Sequence, residues 1–221
     1  MQPFKIRASA CGQIMTNARK KDELSKTCTS YLEQWVKEQI YGRRKEISTK
    51  YMDKGIQMED EALEFAAKVL DYGMLFKNEE FFEDDYMKGT PDAILSSEII
   101  DIKCSWDCFT FPLFSDEIKK EYYWQSQVYM HLAKKDHFKL VYCLMDTPEH
   151  LITKEAMYKV GPDNLTDEIL KEYKDKMTYP SIDNKYKIKV YEIEKNQDDI
   201  NSIIERVKEC NQYINQLITN Q

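Results

Sequence analysis

The sequence predicts an α/β fold in which a small central mixed β-sheet carries helices on both faces. Short strand-like runs alternate with stretches of helical periodicity, and helices come before, between and after the strands. The chain has 221 residues, 42% hydrophobic and 32% charged. That suits one domain around one core, because a single core grows to roughly 250 residues before chains split.

Residues 22–41 form the first predicted helix: Leu24, Cys28, Leu32, Trp35, Val36 and Ile40 recur at helical spacing and Gly42 follows. A second helix is expected over 49–71, ended by Gly73. Extended stretches follow at 81–86, 90–95 and 98–103, then an aromatic loop over 104–116 with Trp106, Phe109, Phe111 and Phe114. A helix is expected over 118–134 and strands over 138–145 and 186–193. The intervening segment holds Pro148, Pro162 and Pro180 and one predicted helix, 165–176. A final helix over 197–218 aligns Ile200, Ile203, Ile204, Val207, Cys210, Ile214 and Leu217. The expected organisation is a single domain over 1–221, with a basic helical part (1–54), a core (55–145) and a C-terminal strand and helix (146–221).

Composition narrows the function classes. It excludes a disordered chain, and no run of about 18 apolar residues is present to span a membrane. The N-terminus lacks the apolar stretch of a signal peptide, so a cytoplasmic protein is expected. The six cysteines and three histidines have no metal-ligand spacing, and free thiols are expected. The net charge of −7 argues against a general DNA binder. It conceals an asymmetry, however: residues 1–54 carry 12 Lys/Arg against 6 Asp/Glu, and residues 55–221 carry 20 against 33. Arg19, Lys20, Lys21, Arg43, Arg44 and Lys45 flank the first helix, where a polyanion could approach.

The informative stretch is Gly89-Thr-Pro-Asp92 followed by Asp101-Ile-Lys103. If 90–95 and 98–103 form a hairpin turning at Ser96-Ser97, Ile94 faces Ile99 and Asp92 faces Asp101. The inference needs an even-numbered turn, since a three-residue loop would shift the register by one. Directly opposed Cβ atoms lie roughly 4.5–5.5 Å apart, and like charges so placed destabilise a sheet. A divalent cation would neutralise them, because hard cations take carboxylate oxygens and keep several waters. Lys103 shares the face of Asp101, while Ile102 points to the core with its carbonyl near the metal position. Glu59 falls on the apolar stripe Glu59, Ala62, Ala66, Val69, where a lone carboxylate is costly unless paired or metal-bound. Gln125 shares a helix face with Val128, Tyr129 and Leu132, and Gln127 lies nearer Tyr123, Met130 and His131.

In this order the segments resemble the PD-(D/E)xK nuclease superfamily, and within it the lambda exonuclease / YqaJ-type phage recombination nucleases. Ile6-Arg7-Ala8-Ser9 is similar to the family's Ile-Thr-Ala-Ser element, and Gly55-Ile-Gln-Met-Glu59-Asp-Glu-Ala62 to its Gly-x-x-x-Glu-x-x-Ala helix. Thr90-Pro-Asp92 is similar to its Ser-Pro-Asp strand, Asp101-Ile-Lys103-Cys104 to its Glu-x-Lys-Cys strand, and Tyr122-Tyr-Trp-Gln125-Ser-Gln127 to its Tyr-x-x-Gln-x-Gln helix. Two positions depart from the pattern. Asp101 stands where this subfamily usually has Glu, although RecB-type nucleases use Asp there, and Arg7 stands where the family has Thr.

The resemblance implies a restriction-endonuclease-like core. It implies Mg2+, with Mn2+ as an alternative, held by Asp92, Asp101 and the Ile102 carbonyl, while Glu59 binds a second metal or orients the attacking water. Lys103 would position that water. Gln127, with Gln125, would steady the site or the scissile phosphate. Ser9 and Thr90 match hydroxyls near a 5′-phosphate pocket, and Arg7 would add a phosphate contact, with Arg19, Arg43 and Arg44 as further DNA contacts. The implied activity is 5′–3′ exonucleolytic hydrolysis of linear double-stranded DNA in phage-type recombination. The implied setting is a bacterial host carrying the phage or prophage, with a ring-shaped homotrimer working beside a single-strand annealing protein. Two rival functions are an endonuclease or RecB-like nuclease on the same scaffold, and a non-enzymatic DNA-binding or assembly protein.

Overall fold

The computed structural model describes residues 2–20, 23–46 and 48–219. Lys21, and the first residue of the helix predicted to begin at 22, lie outside them. Strands are β1 (Ile6–Arg7), β2 (Phe82–Glu83), β3 (Met87–Gly89), β4 (Ala93–Ile94), β5 (Glu98–Cys104), β6 (His137–Cys143) and β7 (Ile188–Glu194). Helices are α1 (Cys11–Ile14), α2 (Lys26–Tyr41), α3 (Lys50–Val69), α4 (Lys120–Leu132), α5 (Glu149–Val160), α6 (Asp167–Met177) and α7 (Gln197–Thr219). None of these is long and apolar enough to cross a membrane.

The expected mixed sheet is present as β4-β5-β6-β7, with β5 and β6 parallel and both outer pairs antiparallel. Period-two alternation sends Ile99, Phe138, Leu140, Tyr142, Tyr191 and Ile193 into one core, shared with α2, α4 and α7. Ile100, Ile102, Val141 and Cys143 enter a second core, closed by Ala62, Leu63, Ala66 and Ala67 of α3. Both faces of the sheet are therefore covered. A small cluster of Trp106, Leu151, Ile152 and Met177 joins α5 and α6 to the loop after β5.

The helix ends follow their local chemistry. Ser25 caps α2 by accepting the Cys28 N–H at 3.0 Å, and Gly42 ends it at φ +61°, a left-handed conformation that glycine adopts without strain. Thr49 caps α3 through the Met52 N–H at 3.3 Å.

Three expectations are corrected. There is a second, three-stranded sheet, β1-β3-β2: the strand expected over 81–86 shrinks to Phe82–Glu83, and Met87–Gly89 is a strand the sequence reading did not give. The strand expected over 90–95 shrinks to Ala93–Ile94. Residues 149–160, between Pro148 and Pro162, form a helix. Gly89 admits α4 and the turn after β1 closely: an added Cβ would lie 2.8 Å from the Tyr129 ring and 3.1 Å from Ala8 Cβ. The N-terminal segment is also tied to the last helix, because Asn211 Oδ1 accepts the Phe4 N–H at 2.8 Å and Asn211 Nδ2 donates to the Phe4 carbonyl at 3.0 Å. All six cysteines are free, and Cys28 and Cys210 Sγ atoms lie 3.7 Å apart.

Candidate active site

The hairpin takes the register read from sequence. Ile94 pairs with Ile99 and Ala93 with Ile100, and the Leu95 N–H donates to the Glu98 carbonyl at 2.8 Å across the two-residue turn. One step further along, β4 has ended and the Asp92 carboxylate replaces the missing backbone partner: its Oδ2 accepts the Ile102 N–H at 2.7 Å. The N–H and C=O of one strand residue point to the same side, so the Ile102 carbonyl faces the open edge that Asp92 occupies.

Asp101 is 1% exposed and points toward α4. Its Oδ1 accepts a hydrogen bond from Gln125 Nε2 at 3.3 Å, and the same amide lies 3.4 Å from Tyr129 Oη. Lys103, two residues on and on the same face, forms an ion pair with Asp101 Oδ2. Its ammonium also lies 5.3 Å from the Tyr122 ring centroid. The charges of Asp101 and Asp92 outweigh burial and raise the Lys103 pKa, so it stays protonated. Asp92 is pushed up to about 7, first by burial and then by the charge of Asp101. Lys103 and the Ile102 N–H pull the other way, and Glu59 adds a smaller upward push.

Glu59 thus acts electrostatically on Asp92, from the edge of the buried face of α3 rather than its middle. The innermost positions are Lys54, Met58, Ala62 and Ala66. Glu59 instead pairs with Lys77 at 3.1 Å, and Lys77 reaches Asp60 at 3.2 Å. Among the described residues no three His, Cys, Asp or Glu side chains gather closely enough to hold a metal ion. Glu59 is therefore not brought in as a ligand beside Asp92 and Asp101. The two aspartates still fit a hard cation. Asp101 Oδ2 is buried and meets only the Lys103 ammonium, a donor a cation could share that oxygen with, and Mg2+ is usually held by one or two carboxylates and its own waters.

Gln127 is corrected out of this site. Residues i and i+2 of a helix point to different sides, and Gln127 is fully buried with its amide committed elsewhere. Its Nε2 donates to the Glu194 carbonyl at 2.9 Å and its Oε1 accepts the Asn196 N–H at 2.8 Å, holding the turn into α7. The amide that reaches the acid is that of Gln125.

Arg7, Ser9 and Thr90 are all exposed. Arg7 pairs in register with Lys88, and the turn carrying Ser9 packs on Gly89, next to Thr90, so these polar groups share one rim. Arg19, Arg43 and Arg44 are exposed, and no contact among the described residues joins them to the acidic pair. Sequence reasoning missed Lys54 and Lys77, and it quoted Tyr122 as part of a motif without giving it a role. Lys54 had a signal, a charged residue four before Met58 and eight before Ala62 on a buried stripe. Lys77, in a loop, had none.

The fold is that of phage-type exonucleases. A phage related exonuclease from Haemophilus somnus 129PT superposes with a TM-score of 0.83 at 27% identity, over 99% of this chain and 96% of that one. An alkaline exonuclease (LHK-Exo) from Laribacter hongkongensis gives a TM-score of 0.64 at 18% identity, over 98% of this chain and 90% of that one. Its complex with dAMP gives 0.65 at 18% identity, with the same coverage. No curated protein matches the chain. Residues 2–136 match the model of the YqaJ-like viral recombinase domain. That is more than half of the sequence, and the chain belongs to this family.

Proposed function

We propose that the chain is a metal-dependent exonuclease that hydrolyses the phosphodiester bonds of linear double-stranded DNA from a 5′ end, in phage-type recombination. The observation that carries this reading is the buried Asp101–Lys103 pair beside Asp92 at the open edge of β5, in a chain of the YqaJ-like family. Asp92, Asp101 and the Ile102 carbonyl would hold Mg2+, or Mn2+ in its place, which when bound lowers the pKa of a coordinated water and neutralises charge on the phosphate. Everything else falls to the protein. Lys103 cannot serve as a base, because it stays protonated. It donates to the attacking water or to a phosphate oxygen and steadies the negative charge that grows there. Gln125 holds Asp101 in one rotamer through Oδ1. Glu59, tethered by Lys77, faces the pair from α3 and orients the incoming water.

Arg7, Lys88, Ser9 and Thr90 supply donors for the terminal phosphate, and Arg19, Arg43 and Arg44 meet the backbone of the duplex. From the same family likeness we infer a bacterial cytoplasmic enzyme that works as a homotrimer beside an annealing protein. Sedimentation would test the trimer.

The function is tested by nucleotide release with Mg2+ from a linear duplex bearing one 5′-phosphorylated and one blocked end, against a covalently closed circle. Release from the open 5′ end only is expected, and Lys103→Ala is expected to lower kcat at least about 100-fold. Cleavage of closed circles at the linear rate would make it an endonuclease. Equal rates for wild type and Lys103→Ala would remove Lys103 from the chemistry.

A further inference from the structure

We propose that Lys54 is a positioning residue. Buried beneath the start of α3, it ties the helix that carries Glu59 to the two loops leaving β5 and β6, and so sets where Glu59 stands against Asp92 and Asp101. The proposal rests on reading those residues as the active site.

Lys54 has no exposed surface, and it is among the largest fully buried side chains of the protein. Its ammonium donates to the Trp106 carbonyl at 2.9 Å and to the Met145 carbonyl at 2.7 Å. Those two acceptors belong to adjacent exits of the sheet. Cys104 and Cys143 end the parallel pair β5/β6 side by side, and Trp106 and Met145 each lie two residues beyond. One side chain therefore joins three segments: α3, the strand that carries Asp101 and Lys103, and the neighbouring strand. Four residues along the same helix stripe, the Cys104 thiol points at the Met58 carbonyl at 3.9 Å, and Glu59 follows.

A helix slipped by one residue would move by about 1.5 Å and turn by roughly 100°, and neither carbonyl would then meet the ammonium. The same helix end also makes contacts nearer the surface. Lys50 pairs with Glu155 at 2.9 Å and lies 4.8 Å from the Trp106 ring centroid, and Tyr51 meets that ring edge-on at 6.0 Å.

Among the described residues no carboxylate forms an ion pair with Lys54. Burial pulls its pKa down to about 8, against the weaker upward pull of the nearby Asp107 and Asp146 charges. A methionine would fill the same slot beside Met58 and Trp106 without the desolvation of an ammonium. Replacing a buried ion by an apolar side chain is often neutral for stability. What the charge adds is two short, directional bonds to carbonyls in the loops that follow two different strands.

The experiment compares wild type with Lys54→Met and Lys54→Arg. In Lys54→Met, hydrogen exchange in α3 between Met58 and Ala66 is expected to accelerate at least about tenfold while α7 keeps its protection. Affinity for Mn2+ without DNA, read by calorimetry, is expected to fall at least about fivefold. Per folded molecule, kcat for nucleotide release falls at least about tenfold while KM for DNA stays within about twofold. Lys54→Arg, which keeps a cationic donor, falls between the two. Unchanged exchange in α3, equal loss of protection in α3 and α7, or wild-type cation affinity in Lys54→Met would overturn the proposal. If wild type releases no nucleotides, the nuclease reading fails, and exchange still decides the role of Lys54.

Discussion

Asp92 is held at about 7 because burial and the charge of Asp101 both penalise its ionised form. In the unfolded chain it titrates near 3.8. Between those values the folded state binds more protons, so this group's contribution to stability is full below pH 4 and is lost as pH rises through 7. Asp92→Asn is therefore expected to raise the melting temperature at pH 8 without divalent cations, by at least about 2 °C, since 1 kcal/mol corresponds to roughly 2–4 °C at this size. The amide oxygen can still accept the Ile102 N–H. Added Mg2+ should stabilise wild type and leave the variant unmoved; a variant that melts lower than wild type would contradict the electrostatics. Lys54 has the opposite sign. Its pKa drops from 10.5 to about 8 on folding, the unfolded state binds more protons in that window, and stability rises with pH across it. Melting of wild type is expected to gain on Lys54→Met between pH 8 and 10.5. The acids and Lys103 were legible in the sequence because an even-numbered turn places Asp92 opposite Asp101. The direction of each amide was not, since Gln125 and Gln127 differ only in which side of α4 they leave.

The long elements, α2, α3, α7, β5 and β6, were legible because each buries a whole periodic face. The shorter ones were not. β1, β2 and β3 are two or three residues long and have no period to read, and the prolines at either end of α5 looked like loop punctuation although Pro148 stands just before the first turn. Glycine 12 carries a signal visible only in the packing of α1 on α4. A Cβ there would sit 3.0 Å from the Cα of Glu121 and 3.2 Å from its Cβ. A backbone neighbour cannot rotate away, so Gly12→Ala is expected to cost about 1–3 kcal/mol, read as a drop in denaturant midpoint with the slope unchanged. Gln125→Ala, by contrast, should lower kcat with little change in that midpoint, and Gln127→Ala should lower the midpoint by freeing the turn into α7.

Across the whole molecule the charge is divided rather than balanced, with the positive excess in residues 1–54 and the negative excess in the rest. An acidic body discourages non-specific wrapping of DNA, and on the function proposed above the basic end would be where DNA approaches. Each phosphate contact contributes a slope of about −0.9 to log affinity against log salt concentration. Replacing Arg43 and Arg44 together by Ala is expected to flatten that slope by up to about 2 in anisotropy titrations of a DNA end; an unchanged slope would take this end out of the interface.

The two bonds between Phe4 and Asn211 close the chain into something near a loop, with the opening strand moored to the closing helix. A protease cut or stop codon that removes α7 would therefore loosen the N-terminal segment at Phe4, about 200 residues away in sequence, and leave Arg7 and Ser9 held by the pairing of β1 with β3.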